Sequence, residues 1–261
     1  MKNKVVWITG ASSGIGEALV YAYNNSGAKL IISSRNRDEL FRVKGNCKNQ
    51  INVHVLSLDL ENTAELAGKT KDAQRIFGQI DLLINAGGIS QRSSVLETDL
   101  AVEQKVMNVN FWGTVALSKS VLPEMIAKGG GKIVAISSVS GKFGRPDRAI
   151  YSASKHALHG YFDSLRSEVF DKNIQVTLIC PGYIKTNISI NAVTASGTAY
   201  AKMDEGQENG LSAADCAKEI IKAIQQNKEE VYIGGKELKG VLFKRLFPLR
   251  FSKYMRKNKF S

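Results

Sequence analysis

A chain of 261 residues with 43% hydrophobic content is the right size for one large α/β domain with a full core. Its net charge is +12, but nine basic residues against one acid (Glu237) between Lys236 and Ser261 account for +8 of that. The remaining +4 is spread over 235 residues, which excludes a nucleic-acid-binding body, and no apolar run reaches membrane-spanning length. Cys47, Cys180 and Cys216, with His54, His156 and His159, show no metal-ligand spacing, so no metal is expected. The odd, sparse cysteine count fits a reducing compartment, and a cytoplasmic protein is expected.

Residues 4–9 read as a first strand, although MKNKVVWIT mimics a signal peptide; the apolar run is short and enters a glycine-rich turn. That turn, TGASSGIG over 9–16, opens a helix over 14–26. Gly10 permits the tight turn, and Gly14 and Gly16 let backbone approach phosphate at the helix N-terminus. A second strand over 28–33 runs into Ser33-Ser34-Arg35-Asn36, where an acid would hold the ribose hydroxyl of NAD. Arg35 stands there instead, with a planar donor fork suited to a 2′-phosphate, so NADP(H) is the expected cofactor. Arg37 is a second cation for that role. A short helix is predicted near 37–44.

The third strand is predicted over 51–58 and leads to Asp59, whose carboxylate can accept from an adenine amino group. A helix over 62–77 precedes a fourth strand over 80–85 that ends in INAG. There Asn85 can fix loop backbone, while Ala86 and Gly87 keep the floor low under a ribose. A long helix over 99–127 and a fifth strand over 131–137 follow, the latter ending in ISSVSG. Next comes YSASK, residues 151–155, opening a helix over 151–171. Tyr151 and Lys155 are one turn apart on one face, so the ammonium is expected to pull the phenol toward ionisation. His156 and His159 on the same helix read as packing residues, and Cys180 as a small buried one.

A sixth strand over 174–180 ends in CPGYIKT, where Pro181-Gly182 bends the chain and Thr186 offers a hydroxyl. Residues 186–211 are small, polar and glycine-containing, placed as a mobile flap over a site. A helix over 212–227 and a strand over 230–234 close the domain. Each strand-end motif is ordinary turn chemistry taken singly, but together they lie where open parallel sheets bind ligands. From Phe247 onward, with Pro248 in the first turn, a helix would place Phe251, Tyr254 and Met255 on one face. Arg250, Lys253, Arg256 and Lys257 would lie on the other, the pattern of a membrane-surface element.

These motifs resemble the short-chain dehydrogenase/reductase family. Thr9, Gly10, Gly14 and Gly16 match its TGxxxGxG, Asn85-Ala86-Gly87 its NAG element, Tyr151 and Lys155 its YxxxK, and Pro181-Gly182 its PG motif. Ser138, thirteen residues before Tyr151, matches the catalytic serine, and Asn110 in NVNFWGT the helix asparagine. Ile84 stands where the family usually has a first asparagine. The resemblance covers about residues 3–235, with the basic tail at 236–261 outside it.

It implies an α/β, Rossmann-like doubly wound parallel sheet of about seven strands, in a single domain with a basic C-terminal tail. Tyr151 would be the general acid or base, with Lys155 lowering its pKa, Ser138 polarising a carbonyl, and Asn110 anchoring a water relay. The implied cofactor cradle is Gly10, Ser12, Ser13, Gly14, Ile15, Gly16, Arg35, Asp59, Leu60, Asn85, Ala86, Gly87, Tyr151, Lys155, Pro181, Gly182, Ile184 and Thr186. The expected reaction interconverts a carbonyl and a secondary alcohol on a hydrophobic, steroid-, retinoid- or lipid-like substrate. A 3-oxoacyl carrier-protein reductase and a non-catalytic dinucleotide sensor are the alternatives. A homodimer or homotetramer, and peripheral membrane contact through the tail, complete the expectations.

Overall fold

The computed structural model describes residues 2–257. Strand β1 (Val5–Thr9) passes through the glycine turn into α1 (Gly14–Asn25), then β2 (Lys29–Ser33), α2 (Arg37–Gly45), β3 (Val53–Val55), α3 (Thr63–Phe77) and β4 (Leu82–Asn85). The second half runs through α4 (Leu100–Met107), α5 (Gly113–Ala127), β5 (Gly131–Ile136), α6 (Ala149–Glu168) and β6 (Ile174–Pro181). After β7 (Ile184–Lys185), α7 (Glu205–Glu208) and β8 (Leu211–Ser212) come α8 (Ala213–Gln225), β9 (Glu230–Ile233), α9 (Lys239–Leu246) and α10 (Pro248–Lys257).

Seven strands pair in parallel in the order β3-β2-β1-β4-β5-β6-β9, the expected doubly wound sheet. Strand alternation explains why both faces are covered. Val6 and Ile8 point into one core with Leu19, Val20 and Tyr23 of α1 and Ile220 and Ile224 of α8. Val5 and Trp7 point the other way, into a core with Leu117 and Val121 of α5 and Leu158 and Phe162 of α6. The chain order reverses between β1 and β4, and register sets Thr9 level with Ser33 and Asn85. The carboxyl ends of the central strands therefore open on one crevice.

Three elements depart from expectation. The third strand is short, because β2 ends at Ser33 and leaves its neighbour few partners. Residues beyond Val55 still run alongside, with Leu56 N donating to Ile32 O and Leu58 N to Ser34 O. Asp59 thus lies four residues past the strand end. The predicted helix over 99–127 contains a π-helical turn at Asn108–Trp112, between α4 and α5. The tail forms two helices rather than one, and both turn back onto the domain. α10 begins at Pro248, as proline geometry requires. Phe251 is buried, edge-on to Phe143 at 5.1 Å and to Phe243 at 5.6 Å. Of the apolar face Phe251 thus meets the protein's own surface, while Tyr254 stays 44% exposed; Lys259 lies outside the described residues.

Candidate active site

One cavity of about 1110 Å³ occupies the crevice, and most of the expected site lies on its wall. Gly10 has φ +63, in the left-handed region, and a Cβ there would stand 2.7 Å from Gly87 Cα. The turn and the end of β4 therefore touch backbone to backbone. Ser13 is the N-cap of α1 but its side chain makes no cap hydrogen bond, which leaves first-turn N–H groups for an anion. Ser12, Ser13, Gly14, Ile15 and Gly16 line the cavity, as do Arg35, Asp59, Leu60, Ala86, Gly87, Pro181, Gly182, Ile184 and Thr186. A close-walled, anion-seeking cradle at a helix N-terminus fits a dinucleotide. Arg35 is exposed on this wall, whereas Arg37 is stacked over Phe41 at 5.4 Å and is off the wall.

Asn85 departs from the expected cradle. Its side chain points behind β4, donating to Ser118 Oγ at 3.1 Å and to Val134 O at 3.4 Å, and is not on the cavity wall. It acts as a strut between β4, β5 and α5.

The phenol of Tyr151 is buried on the wall that Ser138 also lines. The Lys155 Nζ lies 5.8 Å from the Tyr151 ring centroid and donates to Ile136 O at 2.8 Å. The expected downward pull on the phenol is overridden. Burial pushes Tyr151 above its ordinary value, against opposing pulls from Ser138 and from Arg92, Arg148 and Arg145. Burial also lowers Lys155 to about 8, so the ammonium itself is easily discharged. Asn110 sits in the π-helical turn, a feature common at functional sites. Both its amide N–H groups are spent, on Ile89 O at 2.9 Å and Ser154 Oγ at 3.0 Å, while its Oδ1 accepts from Ile89 N at 2.8 Å. It ties the loop after β4 to α6.

A family model for short chain dehydrogenases matches residues 4–196. The chain belongs to the short-chain dehydrogenase/reductase family. It is 46% identical over 242 residues to the "Dehydrogenase/reductase SDR family protein 7-like" of Anopheles gambiae, spanning 89% of this chain and 75% of that one. To the "Dehydrogenase/reductase SDR family member 7B" of Mus musculus it is 42% identical over 238 residues, spanning 89% and 74%. A short-chain dehydrogenase/reductase of Burkholderia phymatum, solved in complex with NAD, superposes with a TM-score of 0.83 at 23% identity, covering 100% of this chain and 97% of that one. This last likeness concerns the fold. As a family member the chain is an oxidoreductase whose fold binds a nicotinamide dinucleotide.

Sequence reading missed the other end of this short-chain dehydrogenase/reductase crevice. Arg92, Arg145, Arg148 and Asp204 line it, as do Phe143, Phe243, Phe251, Tyr254 and Met255. The arginines of GRPDR, just before YSASK, carried a charge signal that a search for motifs passes over. Residues 186–211 dock along the cavity through Asn187, Ile188, Asn191 and Asp204, with Arg92 N donating to Val193 O at 2.8 Å. Glu237, the one acid of the tail, accepts from Tyr183 N at 2.8 Å and Gly235 N at 2.9 Å. It packs so closely on Gly182 that a Cβ there would stand 2.0 Å from its Oε1. The histidine expected to be simple packing is wired: His159 bonds Ser137 Oγ at 3.0 Å and Glu230 Oε2 at 3.1 Å, with Cys180 Sγ at 3.8 Å. His159, Cys180 and Glu230 form the group of potential metal ligands found among the described residues, a juxtaposition that linear spacing does not reveal.

Proposed function

We propose that the protein is an NADP(H)-dependent oxidoreductase that interconverts a carbonyl and a secondary alcohol on a hydrophobic substrate. The observation that carries this reading is a buried phenol, Tyr151, on one cavity wall with Ser138, a cavity that is also lined by Phe143, Phe243 and Phe251. The bound dinucleotide supplies or accepts the hydride. In the reducing direction Tyr151 gives its proton to the developing alkoxide, and in oxidation it takes one up. Burial, which keeps the phenol protonated, suits the donor role. Ser138 holds the carbonyl oxygen beside the phenol. Lys155, lowered to about 8, re-protonates the tyrosine and neighbours the ribose. Asn110 positions Lys155 indirectly, through Ile89 and Ser154. Arg35, exposed on the cavity wall, would hold a 2′-phosphate and so give a preference for NADP(H).

A screen of long- and short-chain ketones and aldehydes with NADPH and NADH tests this. Turnover with NADPH at higher kcat/KM than with NADH is expected. Equal use of both overturns the cofactor assignment, turnover confined to a carrier-bound 3-oxoacyl group favours that reductase, and absence of turnover favours a sensor.

The tail is proposed to hold a cytoplasmic protein peripherally against anionic membrane. Leu242, Leu246 and Leu249 are exposed, on the same two helices as the exposed Lys244, Arg245, Arg250 and Lys253, and Phe247 between the helices is exposed too. Among the described residues no helix is long and apolar enough to cross a membrane. Apolar contact with basic charge gives salt-sensitive binding. Co-sedimentation with anionic vesicles at low salt, lost in a Leu246→Asp/Leu249→Asp double variant, is expected; a supernatant protein overturns it. A homodimer or homotetramer is proposed through the helices holding Asn110 and Tyr151, where Trp112 is half exposed, and sedimentation velocity tests it.

A further inference from the structure

We infer that the substrate end of the crevice receives an anionic group, so that the substrate is a hydrophobic carbonyl compound bearing a carboxylate or a phosphate. This rests on the oxidoreductase reading above and narrows it. Three guanidinium groups, Arg92, Arg145 and Arg148, share the cavity wall with Tyr151. Arg148 is the residue at the N-terminal boundary of α6, three before the phenol, and Arg92 follows the loop after β4. All three favour the ionised form of the Tyr151 hydroxyl, as cations sharing its cavity do.

The charge of Arg92 and Arg148 is only partly balanced. Asp204 Oδ2 receives both Arg92 Nη2 at 2.5 Å and Arg148 Nη2 at 2.6 Å, and all three side chains are buried at 8%, 7% and 6% exposure. Two buried guanidinium groups on one carboxylate leave one positive charge over. A buried, uncompensated charge is destabilising, and a chain selected only for a firm latch would match one arginine to one acid. Arg145 adds a third cation, its Nη2 donating to Tyr183 OH at 2.7 Å.

A donor is also left over. Arg92 spends Nη1 on Ser90 Oγ and Gln91 O, but Arg148 Nε is buried without a hydrogen-bond partner. A buried donor without a partner costs free energy that an incoming acceptor would recover. Arg148 is pulled down to about 10 by burial and by Arg145 and Arg92, in spite of Asp204, as a net positive cluster requires. A carboxylate or phosphate entering here meets surplus charge and the N-terminus of a 20-residue helix. The aromatic side chains Phe143, Phe243, Phe251 and Tyr254 are on the same cavity wall and suit an apolar chain.

The test is calorimetric binding to the full chain of decanoate, decyl phosphate and decanol, for wild type, Arg92→Gln and Arg148→Gln. Wild type should bind at least one of the two anions about 10-fold or more tighter than the alcohol, in keeping with a charged hydrogen bond, and the preferred anion identifies the head group. Arg148→Gln and Arg92→Gln should each shrink that ratio, with circular dichroism and dinucleotide affinity reporting that they fold. Equal binding of anion and alcohol by wild type overturns the inference. So does an anion preference unchanged in both variants, which assigns it to the basic tail. Turnover of a long-chain oxo-acid, its methyl ester and a 2-oxoalkyl phosphate with NADPH is the separate arm. Equal kcat/KM for acid, ester and phosphate sinks the anion inference alone, while failure to reduce any of them sinks the oxidoreductase reading.

Discussion

The two ends of the crevice are built from different materials. The dinucleotide end is backbone and small side chains, with Gly10 against Gly87 and strand ends held level by the register of a seven-stranded sheet. The substrate end is long side chains from distant segments: Arg92 after β4, Arg148 before α6, Asp204 from the segment after β6, and Phe251 from the last helix. Rigid backbone suits a ligand that every member of the family shares, and side chains on mobile connections suit one that differs between members. The first end therefore tells the chemistry, and the second tells on what it is performed.

The largest test of that division sits at the junction. Tyr151→Phe should lower kcat by roughly 10²–10⁴-fold, the usual worth of a general acid, while dinucleotide affinity measured by fluorescence titration stays within a few-fold. A variant keeping more than about a tenth of wild-type kcat would remove the phenol from the chemistry. Next, Arg35→Asp should act on the dinucleotide end alone. Like-charge contact with a 2′-phosphate costs several kcal/mol, so the NADPH-to-NADH ratio of kcat/KM should swing by about 100-fold or more. A shift in ketone KM with unchanged cofactor ratio would mean that the two ends are not separable.

Phe251→Ala addresses the other end. Losing one buried aromatic ring is worth about 1.5–3 kcal/mol, so KM for a long-chain ketone should rise by about 10-fold or more, with KM for a short ketone little changed. Equal effects on both would make the tail a stabilising prop and not a substrate wall. The smallest effect is expected beneath the site. Glu230 is held down to about 2 by the His159 hydrogen bond, against burial, with help from Lys142 and Tyr232. A depressed carboxyl stabilises the fold above its unfolded value near 4.5 and loses that contribution as pH falls toward about 2. The Tm gap between wild type and Glu230→Gln should be widest above that unfolded value and close on acidification. A gap independent of pH would sever the Ser137–His159–Glu230 chain from stability.

The same division explains what the sequence disclosed. The glycine turn, the strand ends and the Tyr151–Lys155 spacing obey local rules of backbone and helix geometry, so reading them in order located the sheet and its crevice. Asn85 was legible as a residue at a strand end but its orientation away from the cavity was not, because pointing toward Ser118 depends on a helix 33 residues away. The direction of the Tyr151 shift was not legible, because burial is a property of the whole fold. The amphipathic pattern of α10 was visible, but the packing of Phe251 on Phe143 was not, because it joins segments far apart in the sequence. The arginines carried no periodic signal at all; Arg92 and Arg148 meet through an acid 112 and 56 residues further on.

The aromatic cluster that fastens the tail has a kinetic consequence. Val139, Phe143 and Phe251 form a cluster of their own, distinct from the two cores on the faces of the sheet. A unit held by so few buried groups can detach while the sheet stays folded. Backbone amides in α9 and α10 should therefore exchange with solvent far sooner than those of β1 and β4. On the proposed reading each such opening would uncover the product, and the breathing rate of α9 and α10 would set an upper bound on turnover for any ligand too large to leave beneath them.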